Sequence, residues 1–290
     1  MTSPFILHHL AYGQANILIL AVTVLAISLI KKQREATGGL FLGLAIVLKV
    51  IAAPFFIWFV SKKSWRVIFG AVIGITVGAI IIPGLFLGLE LNNSYLDFWI
   101  RNIVLADDLG TAKVPLGVNL SLQAQLYRFF TAVPAFSYHK QSYSLTIYSL
   151  SPQIVLILGR FLQISVLSAI VFYAVKYRNK AELVSKWGGI ALTFALIPLF
   201  ASTTQRHYFV MLLPTYLYAV YVWHCLKFKD KWFRGLLAAS FISTLAANDG
   251  IVGGLLSDVF TAAGFNAWGT VLLVFCLFRI ASCLPDQKSI

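Results

Sequence analysis

Acidic side chains are scarce in this chain: ten Asp and Glu stand against 23 Lys and Arg, and charged residues of either sign fill 11% of the 290 positions. So little charge excludes an ordinary soluble domain, in which about a quarter of the residues are charged. Cysteine is also rare. Cys225, Cys276 and Cys283 lie inside or at the ends of apolar segments, with no CxxC pair and no metal-ligand spacing, which predicts neither a disulfide framework nor a metal site. The opening "MTSPFILHHLAY" lacks the basic n-region and small-residue cleavage site of a signal peptide and is too short to cross a bilayer. Internal repeats and low-complexity tracts are missing as well. What fills the sequence is apolar, 59% of residues with a mean hydropathy of +0.84, the composition of an integral membrane protein.

Eight apolar segments stand out, near 13–30, 38–60, 67–89, 152–175, 187–203, 208–226, 234–247 and 266–284. Segments of roughly 18–23 residues suffice to cross a hydrocarbon layer of about 30 Å. The net charge of +13 is not a stripe or a tail of the kind that binds nucleic acid; it sits in short clusters between the apolar runs, "KKQR" at 31–34, "KKSWR" at 62–66, 176–186 and "KFKDKWFR" at 227–234. Such clusters mark the cytoplasmic face. Segment 38–60 has one at each end, so a simple crossing would carry positive charge to the wrong side. A re-entrant hairpin removes the conflict, with Lys49 at its bend and Pro54 opening the returning half-helix. The remaining segments then alternate, placing 90–150, 202–208 and 248–265 outside and the C-terminus inside. The aromatic, proline-broken stretch 90–150 is expected as an ordered outer cap, within a single all-α transmembrane domain over 1–290.

Several polar groups lie at membrane depth. Lys49, in "LAIVLKVIAAPFF", is too far from either basic cluster to snorkel to the inner interface, and a lysine there needs a water-filled cavity or an anionic partner. His207 follows Arg206 in "TTQRHYFVMLLP"; the two fit an interfacial girdle and equally a titratable imidazole beside a cation at a cavity mouth. Gln14 and Asn16 open a span, where amides cap or cross-link helices or read sugar hydroxyls. "GVNLSLQAQLYRFF" at 117–130 is expected as an interfacial helix on the outer leaflet, with Asn119 and Ser121 as turn and cap residues or as ligands. Together these groups suggest an outward-facing site for an anionic, lipid-linked substrate.

The order of these motifs, "YGQANILIL" through the Gly-rich "GGLFLGLAIVLK", the basic-Trp-basic "KKSWR", "GVNLSLQAQL" and "RHYFVMLLP", resembles glycosyltransferase family 87, the polyprenyl-phosphate-mannose-dependent α-mannosyltransferases of GT-C fold, over residues 12 to 225. The resemblance implies a plasma-membrane, multi-pass hexosyltransferase that moves mannose from polyprenyl phosphate to a lipid-linked or glycan hydroxyl on the outer face, with no metal and no cofactor beyond the donor lipid. It implies that Lys49 and Arg206 hold the donor phosphate, that His207 serves the sugar site, and that Gln14, Asn16, Asn119 and Ser121 bind donor or acceptor. Two departures are Val50, where many members have proline, and the loose loop "GVNLS". The family's catalytic carboxylate belongs to an outer loop ahead of the "GQxN" segment. Only a dozen residues precede that segment here and none is acidic, so the chain is expected to correspond to the C-terminal two-thirds of such an enzyme. Outer-loop carboxylates such as Asp97 or Asp107 could in principle substitute for the base, but no spacing argument selects either. A lipid-linked-sugar flippase and a non-catalytic subunit that binds polyprenyl phosphate are the other readings of the same cavity; the missing repeats speak against the flippase.

Overall fold

A computed structural model describes residues 15–104, 119–138, 140–201 and 203–284. The described residues are mostly helical; the sheet among them is one hairpin, β1 (Phe136–Tyr138) against β2 (Gln141–Tyr143). The coordinates separate into two compact units, Ala15–Asp107 and Asp108–Ile290. The stretch 90–150, expected as one cap, is divided between them. Among the described residues, four helices are long and apolar enough to cross a membrane, not the eight segments read from the sequence: Trp65–Leu87, Pro152–Lys176, Leu183–Phe200 and Phe265–Cys283. The other apolar stretches are shortened or broken by turns that hydropathy alone does not register.

The unit Ala15–Asp107 is built from α1 (Asn16–Lys31), α2 (Glu35–Leu48), α3 (Pro54–Ser61), α4 (Trp65–Leu87) and α5 (Leu89–Trp99). Helix α2 stops at Lys49, whose backbone is extended, and a 3₁₀ turn over Val50–Ala52 leads to Pro54 at the start of α3. The direction of the chain on either side of this break follows from glycine. A Cβ on Gly39 would lie 2.1 Å from the Val67 carbonyl oxygen and one on Gly43 2.2 Å from that of Ala71; reciprocally, Gly70 faces Ala36 at 2.1 Å and Gly74 faces Leu40 at 2.2 Å. Each four-residue step along α2 is matched by four along α4, so the two helices run parallel with their backbones in contact. Two parallel neighbours require a return between them, and α3 supplies it. Both basic clusters, 31–34 and 62–66, therefore lie at one end of the unit and Lys49 at the other. The two Gly-x-x-x-Gly faces, Gly39/Gly43 and Gly70/Gly74, are the small-residue contacts that let helices associate where burial from water supplies no drive.

Helix α4 carries a π turn over Val77–Ile81, directly ahead of Pro83. A proline ring clashes with the carbonyl four residues back and leaves it without an amide; here that carbonyl, on Ala79, accepts from the buried Asn92 side chain of α5 at 3.0 Å. The local cost of the proline is thereby met by a neighbouring helix.

The second unit contains α6 (Leu122–Phe130), the hairpin, α7 (Pro152–Lys176), α8 (Leu183–Phe200), a 3₁₀ turn over Arg206–Leu212, α9 (Leu213–His224), α10 (Lys231–Ala246), the short α11 (Asp249–Val252) and α12 (Gly254–Ala262), and α13 (Phe265–Cys283). Helix α8 is buried along nearly its whole second half, and the Thr215 hydroxyl of α9 donates to its Ala191 carbonyl at 2.7 Å. One end of the unit gathers the basic loops: Lys180 donates to the Leu284 carbonyl at 2.6 Å, the Tyr177 and Ser282 hydroxyls are 2.9 Å apart, and Asp230 pairs with Arg279. The other end joins Arg206 to Asp249, Ser257 and Thr261. Within the unit, these loops group at two ends in the order into which the charge clusters sort them.

Asp230 has two tasks at the basic end. Its carboxylate accepts from the Phe233 amide at 2.7 Å, capping α10, and takes both Nε and Nη2 of Arg279 at 3.2 and 2.7 Å. The Arg279 hydrogen bond and then the Phe233 amide hold the carboxyl at about 2. A depressed carboxyl stabilises the fold above its unfolded value near 4 and loses that contribution as pH falls toward about 2. Asp230→Ala is expected to cost about 1 kcal/mol through the cap. Thermal unfolding at pH 7 would show this loss, and the gap between variant and wild type should shrink on acidification through that window.

Helix α6 corrects an expectation. Its polar face does not meet solvent or headgroups: Gln123, Gln125 and Arg128 are all at most 3% exposed. The Arg128 guanidinium donates to the carbonyls of Asn119 and Ala262. The amphipathic pattern was real, but its polar face is turned inward.

Candidate functional site

In the first unit the site residues Asn16 and Lys49 meet. The antiparallel pair α1 and α2 brings the first residue of α1 beside the last turn of α2, and Lys49 Nζ donates to Asn16 Oδ1 at 2.8 Å. Asn16 is fully buried, and its Nδ2 has no hydrogen-bond partner among the described residues. An unsatisfied buried amide donor is costly, and beside it stands a half-buried ammonium. Both groups are donors, and the ammonium adds positive charge, so the arrangement suits an anionic oxygen. Helix α2, at 14 residues, rises about 21 Å, which carries Lys49 that far from the basic cluster at 31–34. Gln14 lies outside the described residues.

Asn119 and Ser121 lie in the second unit and are engaged in holding it together. Asn119 Oδ1 accepts from the amides of Ser121 and Thr204, both at 3.1 Å, and Ser121 Oγ accepts from the Ala124 amide at 3.1 Å as the N-cap of α6. Both are buried. Of the two readings open from the sequence, this geometry is that of turn and cap. The neighbouring Gln123 does carry an amide with neither oxygen nor nitrogen paired among the described residues, as does Asn266 at the start of α13.

Arg206 and His207 open the 3₁₀ turn ahead of α9. His207 is 2% exposed, its ring 5.2 Å from that of Tyr208, so it does not belong to an exposed girdle. Arg206 Nη1 pairs with Asp249 at 3.2 Å, and its Nη2 donates to Ser257 and Thr261 at 3.3 and 3.2 Å. Its charge is thus balanced within the protein. The single Ser257 hydroxyl proton in turn goes to Asp249, with the Ala247 carbonyl 3.1 Å from the same oxygen. Burial works to raise the Asp249 carboxyl, but the Ser257 hydroxyl and the Arg206 charge together hold it below its ordinary range. Asp258, one residue beyond Ser257, is raised instead, by burial first and then by the Asp249 charge, with Arg206 opposing.

Sequence reasoning missed Asp249 and Asp258, because it looked for a carboxylate near Asp97 or Asp107. Asp97 is exposed and paired with Arg101 at 2.7 Å, and Asp107 lies outside the described residues. The pairing signal was weak: 43 residues separate Arg206 from Asp249. No grouping of three or more metal-binding side chains occurs among the described residues.

No curated protein and no solved structure matches the chain. The model of glycosyltransferase family 87 matches residues 1–198, a span that includes Gln14, Asn16, Lys49, Asn119 and Ser121 and stops short of Arg206 and His207. That span covers more than half of the chain, and with the apolar helices around the Asn16–Lys49 pair it shows that the protein belongs to glycosyltransferase family 87.

Proposed function

We propose that this membrane glycosyltransferase moves a hexose, mannose in the first instance, from a polyprenyl phosphate to a lipid-linked or glycan hydroxyl on the extracytoplasmic side of the plasma membrane. One observation carries the reading. The Lys49 ammonium and the buried Asn16 Nδ2, which has no hydrogen-bond partner among the described residues, form a paired donor set at the end of the unit remote from its basic clusters. A departing lipid phosphate gains charge as the glycosidic bond breaks, and preset donors at that oxygen lower the barrier without a metal. The assay is transfer of radiolabelled mannose from polyprenyl phosphate by membranes containing the protein, with polyprenyl-phosphate glucose as the comparison donor. Label transfer that depends on the chain supports the reading; label that stays on the donor lipid with either sugar removes it. His207→Ala in the same assay tests the sugar-site role, and undiminished transfer would withdraw His207 from it.

A further inference from the structure

The basic ends of α10 and α13 frame an open groove of about 530 Å³, lined by Trp232, Leu236, Phe275, Phe278, Arg279 and Ser282. Its lining is graded. Ser282 lies at the end of α13, Arg279 one turn in and Phe275 two turns in, some 10 Å from Ser282 by helical rise; on α10, Trp232 stands at the end and Leu236 one turn deeper. Trp232 and Phe275 are 66% and 57% exposed on helices of which α13 is long and apolar enough to cross a membrane. Asp230 grips the Arg279 guanidinium through Nε and Nη2, and the remaining Nη1 makes no hydrogen bond among the described residues. In the sequence around Asp230, Lys227, Lys229, Lys231 and Arg234 outnumber that single acid.

We infer that this groove is a binding site for an anionic phospholipid from the leaflet at the basic end. The acyl chain lies along Phe278, Leu236 and Phe275, and the headgroup phosphate meets Arg279 Nη1 with the surrounding lysines. Charge decides the class of lipid: each basic side chain near a membrane surface favours an anionic headgroup, whereas a zwitterionic one gains little. Asp230 orients the guanidinium and balances its charge, so the net attraction for an anionic headgroup comes from Lys227, Lys229, Lys231 and Arg234, while Arg279 Nη1 supplies a directed hydrogen bond. The site is built from the second unit alone, whereas Asn16 and Lys49 belong to the first, and it does not depend on the transfer reaction.

The test is quenching of Trp232 fluorescence in phosphatidylcholine vesicles doped with brominated phosphatidylglycerol or brominated phosphatidylcholine, with Trp232→Phe subtracted to isolate that residue. Preferential quenching by phosphatidylglycerol, weakened by salt, is expected. Arg279→Gln should reduce the preference about fivefold, the factor for one basic side chain at an anionic surface. Lys231→Gln/Arg234→Gln, which leaves the Asp230–Arg279 pair intact, should reduce it at least as much and decides alone if Arg279→Gln does not fold. Equal quenching by the two lipids in the wild type, or a preference that persists in the variants, overturns the site.

Discussion

Lys49→Ala is expected to lower sugar transfer by about 100-fold or more while leaving thermal stability unchanged or slightly raised. The activity loss follows from removing one preset donor at a developing oxyanion, which costs on the order of 10²–10³ in rate. Stability holds because alanine relieves the cost of a lysine at membrane depth, a few kcal/mol on insertion scales, which offsets the roughly 1–3 kcal/mol lost when the buried Asn16 Oδ1 is left without that donor. Asn16→Asp sharpens the argument. It keeps the size of the side chain but places a carboxylate 2.8 Å from the ammonium, so the amide donor is lost, the positive charge is neutralised and a second anion is repelled, and transfer should fall as far as in Lys49→Ala. Lys49→Arg, which retains charge but changes its geometry, should sit between. Transfer at the wild-type level in Lys49→Ala would remove the phosphate role from this position.

Gly43→Val and Gly74→Val are expected to destabilise the first unit by about 3 kcal/mol each, the upper range for overpacking a close contact. At both positions even a single added carbon would fall 2.2 Å from a backbone carbonyl of the opposing helix, and backbone cannot rotate out of the way as a side chain can. The helices must separate, which sacrifices the van der Waals contact that holds them together in an apolar solvent. Gly235→Ala is the control: on α10 its new carbon meets nothing within 4 Å, and the gain in helix propensity of about 0.8 kcal/mol should leave it as stable as the wild type or more so. Heat-induced loss of the folded monomer in detergent, followed by size-exclusion chromatography, reads all three. If the two valine variants melt with the wild type, α2 and α4 are not packed in parallel through these glycines.

The two sets of variants are linked. Separating α2 from α4 also moves the end of α2 that carries Lys49, so Gly43→Val should lose transfer activity at temperatures where the protein is still folded, and Gly235→Ala should not. The parallel pair is what sets Lys49 at a defined place beside Asn16, and the glycines are therefore felt at the site without touching it.

The sequence by itself determined the solvent and the topology. Scarce charge and long apolar runs fixed a membrane protein, and the positions of "KKQR" and "KKSWR" required the chain to double back at Lys49, because electrostatics across a bilayer acts on short segments and needs no knowledge of packing. Tertiary structure alone decided who pairs with whom. Arg206, read as a phosphate ligand, is balanced by Asp249; Asn119 is spent on the Thr204 amide, 85 residues away; and the polar face of α6, read as lying on a leaflet, is satisfied by carbonyls that include Ala262, 134 residues from Arg128. An amphipathic period shows that a helix has a polar face but not whether water, lipid headgroups or distant backbone will cover it. The Asn16–Lys49 bond lies between these cases: each residue was legible alone, and their meeting depended on two short antiparallel helices of nearly equal length bringing their far ends to the same level.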